Sequence, residues 1–251
     1  MSQVYFIGAG PGATDLITIR GAKLIEKADV LIYAGSLVNK EILDFNKKSD
    51  EIYNSASMNL DEVLEVTIKA VEEGKTVARI HTGDPSIYGA IKEQMDELEK
   101  HDIEFEVVPG VSSFVAAAAA IKKEFTLPGV SQTIICTRLE GRTPVPEKEK
   151  LEELAKHRAS MALFLSVGMI DEVVVRLTKH YAVNTPVAVV KRATWPDEEI
   201  IICTLETLAE NVKKHNIKKT AQILVGDFIE TEYDKSKLYD SKFTHEYRQA
   251  K

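Results

Sequence analysis

Short runs such as Val30-Leu31-Ile32-Tyr33 are apolar at every position rather than at every second one. A strand of that kind is buried on both faces, which points to a mostly parallel sheet with helices on either side. The first half of the chain keeps that rhythm. Strands are expected at Val4–Gly8, Val30–Tyr33, 76–81 and Phe105–Val108, with helices at 16–27, from about Asn59 to Gly74, and at 88–101. Asn59 and Glu62 stand at the spacing of an N-cap and its reciprocal acid. Strand and helix in strict alternation define an α/β domain.

Beyond residue 111 the character changes. The run Ala116-Ala117-Ala118-Ala119-Ala120 reads as a short, closely packed helix. Strands follow at 132–137, 161–166, Pro186–Lys191, Glu199–Thr204 and Ala221–Val225, with a helix after Gly168 that puts Ile170, Val173, Val174 and Leu177 on one face. The short Trp-Pro-Asp turn at 195–197 joins its two strands antiparallel, so the second sheet is mixed. The organisation expected is an N-terminal α/β domain over 1–113, a C-terminal α/β domain over 114–240, and a polar tail at 241–251.

With 44% hydrophobic and 28% charged residues, the chain has the composition of a folded, water-soluble protein. A net charge of -7 argues against a nucleic-acid binder. Cys136 and Cys203 are too few and too far apart for a zinc site and read as reduced, buried thiols. The first apolar run is too short for a signal peptide or a membrane span, so a cytoplasmic location and no membrane partner are expected. Neither a metal site nor a nucleophilic triad is visible, and no catalytic residue is assigned.

Three loops carry the chemistry. Gly8-Ala9-Gly10-Pro11-Gly12-Ala13 lies between a strand and a helix and fits a relaxed dinucleotide fingerprint. Two features disfavour a nicotinamide or flavin: Pro11 removes an N–H, and the second strand ends in Tyr33-Ala34-Gly35, without an acid for a ribose. Thr82-Gly83-Asp84-Pro85-Ser86 follows another strand, where Asp84 is either a ligand contact or a simple helix cap. Val108-Pro109-Gly110-Val111-Ser112-Ser113 is the third. Each alone is a turn; three at the carboxyl edge of one sheet form a ligand site. Ligand loops without a nucleophile suit transfer of a group that arrives already activated, such as a methyl on a sulfonium, which needs alignment above all.

Taken in order, Gly8-Ala9-Gly10-Pro11-Gly12 with Asp15-Leu16-Ile17-Thr18, then Gly83-Asp84-Pro85-Ser86-Ile87-Tyr88-Gly89, then Val108-Pro109-Gly110-Val111-Ser112-Ser113 resemble the tetrapyrrole methylase family across nearly the whole chain. Four further stretches are similar to the branch that methylates C11 of precorrin-4 or its cobalt form. They are Tyr33-Ala34-Gly35-Ser36-Leu37-Val38, residues 126–133, Glu140-Gly141-Arg142-Thr143-Pro144-Val145-Pro146, and Ala193-Thr194-Trp195-Pro196-Asp197-Glu198. Many relatives, including uroporphyrinogen methylases, carry an Asp after the second-strand tyrosine; Ala34-Gly35 stands there instead, which weighs against uroporphyrinogen as substrate.

The resemblance implies two α/β domains with S-adenosylmethionine in the cleft between them, S-adenosylhomocysteine as product, a tetrapyrrole substrate and a homodimer. By position it implies cofactor contacts from Pro11, Gly83, Asp84, Pro85, Ile87, Tyr88, Ser112 and Ser113, and from Leu165, Val167, Ala193, Thr220 and Ala221. Substrate contacts fall to Ser36, Arg138, Arg142 and either Lys191 or Arg192, since arginine matches carboxylates in a bidentate way. The rival readings are methylation of another carbon of a precorrin or uroporphyrinogen ring, a NAD-dependent Rossmann oxidoreductase, which the missing strand-two acid disfavours, and a tetrapyrrole-binding module without catalysis.

Overall fold

The computed structural model describes residues 3–236, 238 and 240–250. Its first sheet contains β1 (Val4–Gly8), β2 (Val30–Tyr33), β3 (Glu51–Asn54), β4 (Val77–His81) and β5 (Phe105–Val108), ordered β3-β2-β4-β1-β5. Every pairing is parallel. Because side chains alternate across a strand, the apolar runs feed two cores at once. Ile7, Leu31, Tyr33 and Ile80 pack with Ile25 of α1 (Ile19–Lys27) on one face. Phe6, Val30, Ile32 and Val77 pack with Ala70 of α2 (Leu60–Glu72) and Leu98 of α3 (Lys92–Lys100) on the other.

The caps follow from the sequence. Asn59 Oδ1 accepts the Glu62 N–H at 2.9 Å and Glu62 Oε2 accepts the Asn59 N–H at 2.7 Å, closing the expected capping box. The helix expected at 16–27 starts later, at Ile19, because a 3-10 turn occupies Thr14–Leu16 and Thr18 supplies the cap. That expected at 88–101 starts only at Lys92, since Tyr88 and Ala90 adopt left-handed backbone. β3 was not anticipated. It is a four-residue edge strand with alternating exposure and lacks the fully apolar signature of its neighbours.

The second sheet, ordered β6-β7-β10-β8-β9, holds β6 (Ile134–Arg138), β7 (Ser160–Phe164), β8 (Pro186–Lys191), β9 (Glu199–Thr204) and β10 (Ala221–Val225). Only the β6–β7 pair is parallel, so the sheet is mixed. Its helices are α5 (Leu151–Ala155), α6 (Ile170–Leu177) and α7 (Leu205–Lys214), while α4 (Ser113–Ala120) precedes it in the chain. Leu151, Val173, Leu177, Leu205 and Leu208 from α5, α6 and α7 are fully buried with Met161, Val189 and Ile223 of the sheet. The expected thiol burial is corrected here: Cys136, on edge strand β6, is exposed and Cys203 half-buried, both unpaired.

By contacts the chain forms two compact units: Met1–Ala116 with Arg192–Glu198, and Ala117–Lys191 with Glu199–Lys251. The division falls inside α4, and the connection between β8 and β9 belongs to the first unit.

Two polar side chains hold the first unit where helix α1 returns to the sheet. Buried Asn46 donates through Nδ2 to the carbonyls of Ile25 (2.6 Å) and Ala28 (2.8 Å), at the carboxyl end of α1. Its Oδ1 accepts from the N–H groups of Lys48 and Ser49, both at 2.8 Å. Asn46→Ala should therefore cost about 2–4 kcal/mol in urea unfolding, because buried groups lose their partners. Asp29 is paired by the Lys48 ammonium and accepts from the Thr76 N–H (3.0 Å) and hydroxyl (2.9 Å). The Lys48 bond first, then the Thr76 amide, lower its pKa from 3.8 to about 2. A folded pKa below the unfolded one gives stability that is present above about pH 4 and lost as the pH falls towards 2. Asp29→Asn should flatten that acid limb when unfolding free energy is measured against pH.

Candidate functional site

The neighbours β4, β1 and β5 run parallel, so the loops at their carboxyl ends emerge side by side. The loop after β1 and the loop after β4 form a two-way bridge: the Gly10 N–H donates to the Gly83 carbonyl at 3.2 Å and the Gly83 N–H to the Gly10 carbonyl at 2.8 Å. A Cβ on Gly8 would lie 2.6 Å from the Gly83 oxygen and from the Gly110 Cα, and one on Gly110 would lie 2.1 Å from the Gly83 oxygen. Three main chains meet there at distances that admit no side chain.

Asp84 fastens the second corner to the third. Its Oδ2 accepts the Gly110 N–H at 2.8 Å, while Oδ1 accepts the Ser86 N–H at 2.9 Å and a short bond from the Ser86 hydroxyl. Burial pulls its pKa upward, but the Ser86 and Gly110 donors outweigh it and hold the group below the ordinary carboxylate value. At neutral pH it is an anion that organises two loops. Just before this loop, buried His81 is pushed down to about 3 by burial and by Arg79 nearby, so its ring is neutral.

The first loop is gripped peptide by peptide. Trp195 Nε1 donates to the Pro11 carbonyl at 2.9 Å, Asn39 Nδ2 to the Gly12 carbonyl at 3.0 Å, and the Ala13 N–H to Thr194 Oγ1 at 2.9 Å. Ala193, between Arg192 and Thr194, is buried in the same unit.

Left-handed backbone at non-glycine residues costs of order 1–3 kcal/mol and gathers where function demands it. Ten described non-glycine residues adopt it; some, such as Asp102, Lys122 and Asn216, merely end helices or turns, but Tyr88 (φ 56°), Leu165 (φ 53°), Arg192 (φ 49°) and Thr220 (φ 57°) are among those singled out from sequence. Leu165 is also 67% exposed, unusual for a large apolar side chain held in a strained turn.

In the second unit, antiparallel β7 and β10 bring the end of one beside the start of the other, and with them Leu165, Val167, Thr220 and Ala221. The Val167 side chain is buried in the core, so it offers a ligand only its backbone. Buried Ser166 accepts the Leu139 N–H at 2.8 Å and donates to the Phe164 carbonyl at 2.7 Å, tying the ends of β6 and β7 together. Arg138 donates to the carbonyls of Thr143 (3.2 Å) and Pro144 (2.8 Å), holding its own loop. Arg192 pairs with Asp197 at 2.6 Å and stacks over Trp195, and Lys191 pairs with Glu199 at 3.1 Å. Arg142 is exposed. The Ser36 side chain lies outside the described residues.

Pro11, Gly83, Asp84, Pro85, Ile87, Tyr88, Ser112, Ser113, Arg192 and Ala193 thus fall in the first unit, and Arg138, Arg142, Leu165, Val167, Thr220 and Ala221 in the second. Asn39, Thr194 and Trp195 were missed as parts of the site, and so was the bond from the Gly110 amide to Asp84. Trp195 had one available signal, a lone tryptophan in a turn too short to bury it locally.

The family model described as Tetrapyrrole (Corrin/Porphyrin) Methylases matches residues 3–209. The chain is 60% identical to the cobalt-precorrin-4 C(11)-methyltransferase of Methanocaldococcus jannaschii, over 99% of this chain and 96% of that one. It is 45% identical to the precorrin-4 C(11)-methyltransferase of Pseudomonas aeruginosa, over 98% of each. Among solved structures, a cobalamin biosynthetic enzyme described as cobalt precorrin-4 methyltransferase, CbiF, superposes with a TM-score of 0.89 at 46% identity, over 91% of this chain and 96% of that one. With matching loops, matching fold and similarity over nearly its full length, the chain belongs to the tetrapyrrole methylase family.

Proposed function

We propose that this chain transfers the methyl group of S-adenosylmethionine to C11 of cobalt-precorrin-4, giving the precorrin-5 stage of cobalamin synthesis and S-adenosylhomocysteine. The observation that carries the reading is the meeting of three glycine corners, fastened by Asp84, in a chain similar throughout to relatives named for that reaction. The higher identity, 60% against 45%, is to the relative named for the cobalt form. Methylation of precorrin-4 without cobalt is the nearest alternative.

The residues fit the donor. Glycine corners let a ligand come up to the main chain with no side chain between, which suits the polar amino-acid and ribose parts of a zwitterionic nucleoside. Exposed apolar surface on Tyr88 and Leu165 suits its adenine and thioether. We assign donor contacts to Pro11, Gly83, Asp84, Pro85, Ile87, Tyr88, Ser112, Ser113, Leu165, Val167, Ala193, Thr220 and Ala221. When bound, S-adenosylmethionine supplies a methyl already activated on a sulfonium. What the protein adds is position, and alignment of two reactants lowers a barrier by roughly 7–11 kcal/mol in favourable cases.

For the ring, exposed Arg142 is the best placed of the four substrate residues to meet a peripheral carboxylate. Arg138 and Arg192 act through the loops they hold, and Ser36 completes the set. No residue is assigned as general base. We read the enzyme as a cytoplasmic homodimer, in keeping with its family; among the described residues no helix is long and apolar enough to cross a membrane.

The decisive experiment incubates purified protein with methyl-labelled S-adenosylmethionine and cobalt-precorrin-4, and locates the new methyl by NMR. Label at C11 supports the reading; label at another carbon, or none, overturns it. For the loop assignment, Asp84→Ala should weaken S-adenosylhomocysteine binding by at least about tenfold in calorimetry. Asp84→Asn should do nearly as much, because one face of the amide must turn an N–H towards the donor of Ser86 or Gly110. Unchanged affinity in both variants would remove Asp84 from the site.

A further inference from the structure

The connection between β8 and β9 is built as a gripping tip. Two residues in it, Arg192 and Thr194, take left-handed backbone (φ 49° and 70°). That strain is offset locally. The Thr194 N–H donates to Glu198 Oε2 at 2.6 Å, Arg192 pairs with Asp197 at 2.6 Å, and the Arg192 guanidinium stacks 3.9 Å from the centroid of the Trp195 ring. A surface turn that served only to reverse two strands would need none of this.

What the tip reaches is the first glycine corner. A Cβ on Gly12 would lie 2.1 Å from Trp195 Cδ1 and 2.2 Å from Nε1, so the indole lies directly on the Gly12 main chain. Gly12 has no left-handed φ to explain it; the side chain it lacks is displaced by Trp195. The indole N–H then takes the Pro11 carbonyl and the Thr194 hydroxyl takes the Ala13 amide. From the other side Asn39 takes the Gly12 carbonyl.

We propose that Trp195 is a positioning residue for methyl-donor binding: seated on Gly12, it fixes the Pro11 corner in its binding shape before the donor arrives. This rests on the function proposed above. A loop already ordered in the free protein loses less entropy when it closes on a ligand, so affinity depends on the latch even where Trp195 touches no ligand. The same tip carries Ala193, which places two assigned donor contacts, Pro11 and Ala193, under one device. Trp195 is the only tryptophan in the chain, so its emission reports the state of the latch.

The test compares wild type with Trp195→Ala, Trp195→Phe, Gly12→Ala and the double variant Gly12→Ala/Trp195→Ala. S-adenosylhomocysteine affinity is read by calorimetry, KM values for both substrates by methyl transfer, and folding by thermal unfolding. Trp195→Ala should weaken affinity and raise the KM for S-adenosylmethionine by about tenfold or more, and should raise the tetrapyrrole KM less, only through the Arg192 guanidinium that stacks on the indole. Trp195→Phe keeps an aromatic face on Gly12 without the N–H and should fall between the two. Gly12→Ala should drive the indole off, shifting its emission to longer wavelength. The double variant should bind no worse than Trp195→Ala alone, because the added methyl then has space.

Wild-type affinity in Trp195→Ala and Trp195→Phe, or losses that simply add in the double variant, would overturn the latch while leaving the methyl-transfer reading intact. Absence of S-adenosylhomocysteine binding by wild type would overturn both. If Trp195→Ala does not fold, the folded Trp195→Phe protein decides: unchanged affinity and KM overturn the proposal.

Discussion

Three polypeptide segments meet where Gly8 and Gly110 press on the Gly83 carbonyl more closely than a side chain on either would permit, and much of the first unit follows from that contact. A Cβ at Gly110 would sit 2.1 Å from a main-chain oxygen that has nowhere to retreat. Such an approach is possible only if β4, β1 and β5 are adjacent and end at the same level, which the parallel register of Ile7 with Ile80 and Val108 provides. The register in turn depends on strands buried on both faces, and so on helices covering each side of the sheet. Apolar runs in the sequence, the sheet order and the ligand corner are linked by that single steric requirement.

Charge in this molecule is used largely to shape loops. Asp84 spends its carboxylate on Ser86 and Gly110, Arg138 its guanidinium on the carbonyls of its own loop, and Arg192 on Asp197 and the Trp195 ring. Arg176 does the same in the second unit, bridging Glu140, Glu152 and Glu172 beneath the loop that carries Arg142. With a net charge of -7, the protein has no general attraction for a polycarboxylate ring. On the reading proposed above, recognition falls to a few cations at fixed places, of which exposed Arg142, on the loop that Arg176 anchors through Glu140, is one.

The strands were legible wherever burial on both faces or a tight turn left a mark. β8, β9 and β10 have the bounds read from sequence, and the capping box at Asn59 formed as its spacing required. β3 was lost because an edge strand alternates its exposure and its ends are polar. α7 was lost for another reason: β9 ends at Thr204 and the helix begins at Leu205, so no glycine or proline marks the change. The start of α3 was misplaced because apolar spacing continues through Tyr88 while the backbone there turns left-handed, with Gly89 pressed against the Pro85 carbonyl.

Within the site, local pattern identified the glycine corners but not their fastenings. Gly12 looked like a glycine for a ligand; its missing side chain makes room for an indole 183 positions away in the chain. Long-range contacts of this kind leave no local periodicity, so only geometry shows them. That bears on how such an enzyme works. When the reacting methyl is already activated, the protein has little chemistry to contribute except order, and order must be held by something. A corner made of glycines has the greatest freedom to lose, so it can serve as a preorganised site only if other side chains immobilise it. Trp195, Asn39, Thr194 and Asp84, none of them a plausible nucleophile in this setting, are the groups that supply that restraint.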